Sequence, residues 1–282
     1  MPACQRAFTM LRSGDARAEP RQRAALASPL PSNRANRYHA LFAVGAGDVV
    51  VSKLVQEAGD GNIDAIYYRD GASLPTAGYL IHKAREEMFS LFMTECKPTS
   101  STTVLDLGVS DEENSEANIL EKQYPFKNKL TCAGLGDGQL VLSSYPGIEY
   151  IKIFAGRPLP FKDGAFDIVY SNAVLEHVGG PEERRHFIQE ALRIGRSVFI
   201  TVPNRWFPIE HHTGIPLVHF NKNLFRSVLR RTRLNHWTET RNLEFLDRRL
   251  LLDEWPGKRT PKAAYTGIKL GPFSSNIAIY GE

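Results

Sequence analysis

Between Leu159 and Val178 the chain reads as a short apolar entry, Leu159-Pro160-Phe161, then a Lys162-Asp163-Gly164 turn, a buried strand from Phe166 to Ser171, and polar residues where that strand ends. A continuous apolar run bounded by turn signals suits a strand covered on both faces, as in a parallel sheet. In an open α/β sheet, ligands sit in the crevice outside the carboxyl ends of the strands. Asn172, Glu176 and His177 stand at such an end. Upstream, Thr103-Val104-Leu105-Asp106-Leu107-Gly108 has the same form, an apolar strand running into an acid and a glycine.

The rest of the chain supports alternating strands and helices. From Ala77 to Glu95 the apolar residues recur at helical spacing, which predicts an amphipathic helix. Strands are expected at about 103–107, 129–135, 150–154, 166–171, 197–202 and 275–280, with helices at about 118–124, 181–194 and 221–230. Pro181 with Glu182 and Glu183 marks a helix start, and Gly195 its end. Such alternation argues for a parallel sheet with helices on both faces. Residues 1–37, rich in Arg, Ala, Ser and Pro without apolar period, are expected to be a disordered leader, and 38–76 an N-terminal extension. The stretch Gly45-Ala46-Gly47 has two glycines of a dinucleotide loop but not the third.

The bulk numbers exclude more than they select. The net charge of +4 is mild and much of it lies in terminal arginines, so there is no clear nucleic-acid signal. No run approaches the roughly 18 apolar residues of a membrane span. Three scattered cysteines give neither a disulfide framework nor a zinc spacing, which suits a cytoplasmic protein.

The two strand-end motifs, in this order, resemble the class I S-adenosylmethionine (SAM)-dependent methyltransferases, and most closely the bacterial methyltransferase type 11 group, whose fourth strand is preceded by a similar Leu-Pro-Phe segment. The resemblance covers about Ala77 to Tyr280. It implies a Rossmann-like, doubly wound α/β sheet of seven strands, the last antiparallel, spanning a domain of residues 77–282. It also implies SAM as cofactor and transfer of its methyl group to a small or medium-sized acceptor molecule. The helix before the first strand would pack on the sheet and could cover the cofactor.

Carried over residue by residue, the resemblance gives Asp106 and Gly108 the start of the first cofactor motif; two further glycines of that motif are replaced by Val109 to Asn114, with an acidic run at Asp111-Glu112-Glu113. Asp137 stands nearest to the ribose-binding acid after the second strand. Both acids that usually precede Leu-Pro-Phe are absent, so Leu159 is left to wall the adenine. Asn172 and Ala173 stand where the family lines the sulfonium and ribose. Glu176 and His177 are the catalytic candidates, because an oxygen or carbon acceptor needs a base and a histidine titrates near neutrality; His177 reads equally as a helix-start residue that orders the loop.

The aromatic, histidine-rich loop after the fifth strand places Asn204, Trp206, His211 and His212 as candidate acceptor contacts, or as a packed loop without chemistry. Glu210, His211, His212 and His219 lack the usual metal-ligand spacing, and no metal is expected of them. Two other readings stay open: a catalytically silent methyltransferase-like binding module, favoured by the missing glycines and acids, and an NAD(P)-binding enzyme, opposed by the acidic run because a pyrophosphate would be repelled there.

Overall fold

A computed structural model describes residues 77–111, 118–154 and 157–282. The expected leader, the N-terminal extension with Gly45 and Gly47, Glu112 and Glu113, and Ala155-Gly156 lie outside the described residues.

The elements are α1 (Ala77–Cys96), β1 (Val104–Leu107), α2 (Ile119–Gln123), β2 (Leu130–Gly134), α3 (Gln139–Ser144), β3 (Glu149–Lys152), β4 (Phe166–Asn172), α4 (Pro181–Ile194), β5 (Gly195–Pro203), α5 (Lys222–Leu229), α6 (Arg248–Glu254), β6 (Lys262–Leu270) and β7 (Phe273–Gly281). They build one seven-stranded sheet in the order β3-β2-β1-β4-β5-β7-β6. β1 pairs in parallel with β2 and β4, and β7 inserts antiparallel between β5 and β6. This is the Rossmann-like α/β sheet expected from the sequence, with the last strand antiparallel.

Alternation along each strand produces the layers. In β1, Leu105 and Leu107 join a core with Val169 of β4, Ile200 and Val202 of β5 and Phe187, Ile188 and Ala191 of α4. Val104 faces the other way and joins Cys132, Ile168, Tyr170 and Phe199 beneath Phe92 of α1 and Leu120 of α2. Phe92 is completely buried and meets the rings of Tyr170 and Phe199 edge-on at 5.0 and 5.4 Å. Helices therefore cover both faces of the sheet, because each strand has an apolar side chain to bury in each direction. A smaller cluster, Phe225, Leu229, Trp237 and Leu243, lies in the segment between β5 and α6.

Asp167 fastens the start of β4 to β1: its Oδ2 accepts the backbone N–H and the hydroxyl of Thr103, both at 2.9 Å. α4 ends at Ile194 as the glycine rule predicts, and β5 begins on Gly195 itself without a loop. A Cβ there would lie 2.6 Å from Val169 Cγ2, so the tight junction needs the glycine.

Three elements have no counterpart among the spans read from the sequence: α3, α6 and β6, the last being the seventh strand that the resemblance implies without placing it. The two helices are only six and seven residues long, too short to show a period. β6 is an edge strand with mostly half-buried or exposed residues, and Gly267 at φ +77° marks an irregular register between Thr266 and Lys269. A strand with one solvated edge and a bulge loses the alternation by which strands are recognised.

α5 carries a well-formed N-cap. Asn221 Oδ1 accepts the backbone N–H groups of Asn223 and Leu224 at 3.0 and 3.1 Å. Asn221→Ala should lower stability by about 1 kcal/mol and Asn221→Gly by only a few tenths. Urea unfolding of both variants checks this; an Asn221→Ala variant as stable as the parent would show that the side-chain cap contributes nothing.

Candidate functional site

The parallel strands β1 and β4 end side by side, and the chain leaves them in opposite directions across the sheet. At that switch point a cavity opens above their carboxyl ends. Asp106 and Gly108 come from the end of β1, and Asn172, Ala173, Glu176 and His177 from the end of β4. His211 and His212 come from the loop after β5, and Ile81, Ala84, Arg85 and Met88 from α1. Asn118 to Glu121 and Asn276 complete the wall.

The floor is held by hydrogen bonds between strand ends. Gly108 N–H donates to Ala133 O at 2.8 Å, Ser171 Oγ to Leu107 O at 2.8 Å, and Thr201 Oγ1 to Asn172 Oδ1 at 2.6 Å. Gly108 sits at φ +101°, where a Cβ would lie 2.4 Å from Val174 Cγ2, so only glycine fits. Ala173 has φ +56°, a left-handed backbone rarely taken by a residue with a side chain. Such strain persists where the surroundings hold it, and it gathers at functional sites.

The cavity is rich in carboxyl groups. Asp106 and Glu121 are buried in its wall, and burial together with the neighbouring Glu121 pushes the Asp106 carboxyl well above its ordinary range. Glu176 is 1% exposed, and among the described residues both of its oxygens are buried without a side-chain hydrogen-bond partner. Burial pushes its carboxyl up to about 7, against the pull of His212 and Arg85. Ser110 Oγ is another buried polar atom of the wall without a partner among the described residues.

Two histidines meet beside Glu176. His177 stands on a single 3-10 turn after β4, and His212 on the loop after β5. Their Nε2 atoms are 3.3 Å apart, and His177 Nε2 lies 3.9 Å from Glu176 Oε1. His177 Nδ1 is 2.6 Å from the carbonyl oxygen of Asn242, and His212 Nδ1 is 2.8 Å from Glu210 Oε1. A carbonyl and a carboxylate only accept, so each ring carries its proton on Nδ1. Glu210 also accepts from the backbone N–H groups of His212 and Thr213 and from the Thr213 hydroxyl. Burial works against ionising Glu210, but His212 and these hydrogen bonds bring its carboxyl down to about 2.

Eight of the residues expected from the sequence thus gather in one cavity: Asp106, Gly108, Asn172, Ala173, Glu176, His177, His211 and His212. Four others do not. Asp137 lies outside this wall, its side chain 70% exposed and ion-paired with Lys152, because β2 ends at Gly134 and leaves it on an outward turn. Leu159 is buried in the core of the α4 face, where its backbone N–H donates to Glu190 and its carbonyl accepts from Arg193; the Leu-Pro-Phe segment is a packing clamp. Asn204 is a structural staple that donates to Ser274 O at 2.9 Å and accepts the Trp206 N–H. Trp206 is 44% exposed beside Arg205 and lines a surface groove with Arg248 and Tyr265. Glu210 and His219 do not join His211 in a metal set: Glu210 holds His212, and His219 Nε2 lies 3.0 Å from Phe207 O.

Sequence reasoning missed Arg85, Glu121 and the partnership of His177 with His212. For the first two a signal existed. Arg85 lies on the same helical face as Ile81 and Met88, and Glu121 adjoins Ile119 and Leu120, so each is a charge on a buried stripe.

Comparison with known proteins gives one family-model match and a set of similar sequences and solved structures. Residues 133–198 match the family model described as a methyltransferase domain. An uncharacterised protein of Mycobacterium tuberculosis, Rv1509, is 38% identical over 65 residues, which are 23% of this chain and 22% of that protein. The alignment thus spans about a fifth of the length of the curated relatives it matches. Among solved structures, a SAM-dependent methyltransferase of Thermotoga maritima, described as a possible histamine N-methyltransferase, is similar at 15% identity and TM-score 0.46, covering 77% of this chain and 98% of its own. The PH0226 protein of Pyrococcus horikoshii is similar at 17% identity and TM-score 0.46, covering 76% of this chain and 96% of its own.

Proposed function

We propose that this chain is a class I methyltransferase that transfers a methyl group from SAM to a small or medium-sized acceptor and releases S-adenosylhomocysteine. The observation that carries the reading is the carboxyl-lined cavity at the switch point between β1 and β4, within a chain that matches a methyltransferase domain. The wall suits a cation. Asp106 and Glu121 offer buried carboxyl groups to an ammonium or sulfonium, and Ser110 Oγ offers an unused hydroxyl. The same acids would repel a pyrophosphate, which weighs against the NAD(P) reading.

In this reading Asp106 binds the ammonium of the cofactor, Gly108 lets the backbone approach it, and Asn172 and Ala173 line its ribose and sulfonium end. SAM, when bound, supplies an electrophilic methyl group for in-line displacement. Ile81, Ala84 and Met88 of α1 exclude water from above. The acceptor lies toward Glu176, His177, His211 and His212, where its proton is removed. Holding both reactants in line can supply up to about 7–11 kcal/mol of the barrier, so the fold has much to contribute through positioning alone.

Calorimetric titration of the full chain with SAM and with S-adenosylhomocysteine tests this. Micromolar binding of both is expected. No heat at millimolar ligand overturns the cofactor, and binding of both without turnover on any acceptor makes the chain a silent methyltransferase-like module.

A further inference from the structure

We propose that Glu176, His177 and His212 bind a divalent transition-metal ion, Zn²⁺ first, and that the acceptor meets this ion through a hydroxyl group. The ion site stands on the geometry alone; the hydroxyl acceptor rests on the methyltransferase reading above.

The three side chains bring one ligand atom each to within 4.8 Å of one another. The partners of both Nδ1 atoms fix the tautomers, so in the neutral rings each Nε2 carries a lone pair, and the two nitrogens face each other at 3.3 Å. A cation held between them would accept one lone pair from each ring. The spacing equals the edge of a tetrahedron with metal–nitrogen bonds of about 2.0–2.1 Å, which is roughly 3.3 Å. Glu176 completes the set with a buried carboxyl group to which no other described side chain is hydrogen-bonded, so it is able to turn toward the ion.

The surroundings are those of a metal site. Glu210 behind His212 and the Asn242 carbonyl behind His177 fix ring orientation and raise ligand basicity, as outer-shell partners of metal-bound histidines do. Two carboxylates, Glu176 and Glu210, balance a dication. Two imidazoles with one carboxylate favour a borderline ion over Ca²⁺ or Mg²⁺, which prefer all-oxygen sets. Three protein ligands leave a fourth position, and the cluster lines the same cavity as Asp106 and Asn172.

A hydroxyl bound at that position loses its proton more readily, because a bound ion lowers the pKa of a coordinated O–H. The proton goes to solvent. The acceptor oxygen then forms the new C–O bond with its electron pair, while the S–CH₃ bond breaks and its pair returns to sulfur, leaving a neutral thioether.

The test begins without SAM. The full chain, stripped with a chelator and dialysed, is titrated with Zn²⁺ by calorimetry, and Co²⁺ is added separately for its visible spectrum. One Zn²⁺ per chain is expected, with Co²⁺ giving ligand-field bands of low symmetry. Glu176→Gln, which keeps the shape of the side chain, and His212→Ala should each weaken Zn²⁺ binding at least about 100-fold, and Glu210→Gln about 10–100-fold through the ring it holds. His82→Ala on α1 should leave it unchanged. Absence of stoichiometric binding, or undiminished binding by Glu176→Gln, overturns the site and leaves a proton shared between the two rings. Zn²⁺ binding without SAM binding keeps the ion and removes the acceptor half. SAM binding without Zn²⁺ binding removes the ion, and with it the metal-bound acceptor, and leaves the methyltransferase reading standing. With isotope-labelled SAM and a panel of phenols, alcohols and amines, a methyl ether formed only by the metal-loaded protein is expected; amine methylation at an equal rate by the stripped protein overturns the hydroxyl acceptor.

Discussion

Glu254→Ala should destabilise the protein by about 3–5 kcal/mol, because it strands a buried guanidinium. Arg184 on α4 and Glu254 on α6 have side chains only 2% and 6% exposed. Their contact is bidentate, Nε to Oε2 at 2.8 Å and Nη2 to Oε1 at 2.5 Å. The remaining arm of the guanidinium donates to Gly179 O at 2.8 Å. The loss exceeds that of a surface pair because the uncompensated charge stays in a low-dielectric interior. Gly179 lies two residues beyond His177, so the clamp also fixes the segment that carries Glu176 and His177. Denaturant unfolding measures the effect. A double variant with Arg184→Met and Glu254→Leu should recover most of the stability, since a buried pair is often replaceable by apolar groups of similar volume. A single-variant loss below about 1 kcal/mol would mean that water reaches Arg184 when its partner is gone.

Asp106→Asn should act in opposite directions on stability and on ligand binding. Burial and Glu121 hold the Asp106 carboxyl above its ordinary range, so the folded protein binds a proton more readily there than the unfolded chain does. A raised carboxyl pKa makes stability increase as pH falls from the raised value toward the ordinary carboxylate range, and makes the ionised group a liability at neutral pH. Asparagine keeps the shape, removes that liability and flattens the pH slope, so the variant should melt at the same temperature or higher at pH 7. SAM affinity should fall about 10- to 150-fold, the worth of one charged hydrogen bond at ~1.5–3 kcal/mol. Parallel melting and calorimetric titration decide it. Unchanged SAM affinity would move the ammonium contact to Glu121 or Glu176.

The sequence was most readable where an element is long or buried on both sides. β4, α4 and the strand end at Asp106 and Gly108 fall where the apolar runs and punctuation place them. Legibility failed where geometry depends on partners distant in the chain. Asp137 reads as a ligand acid when the strand is run to Leu135; β2 stops at Gly134, and Lys152 at the end of β3 takes up the carboxylate. Leu159 looked like a cofactor wall, but Arg193 and Glu190 on α4 draw its segment into the core. The facing of His177 and His212, 35 positions apart, follows from the adjacency of β4 and β5 and has no local signature.

The bulged strand at the sheet's end also bears on how copies of this chain meet. A sheet grows from one molecule into the next when a long, flat edge offers a row of unused N–H and C=O groups. β6 bends at Gly267 and carries Lys262 and Lys269, whose charges would be buried by an added strand. At the opposite edge β3 is only four residues long and bears Glu149 and Lys152. Among the described residues neither edge is a template for strand addition, so self-association through a continued sheet, and the aggregation that follows from it, is discouraged at both ends, and at β6 by the same bulge that hid the strand from view.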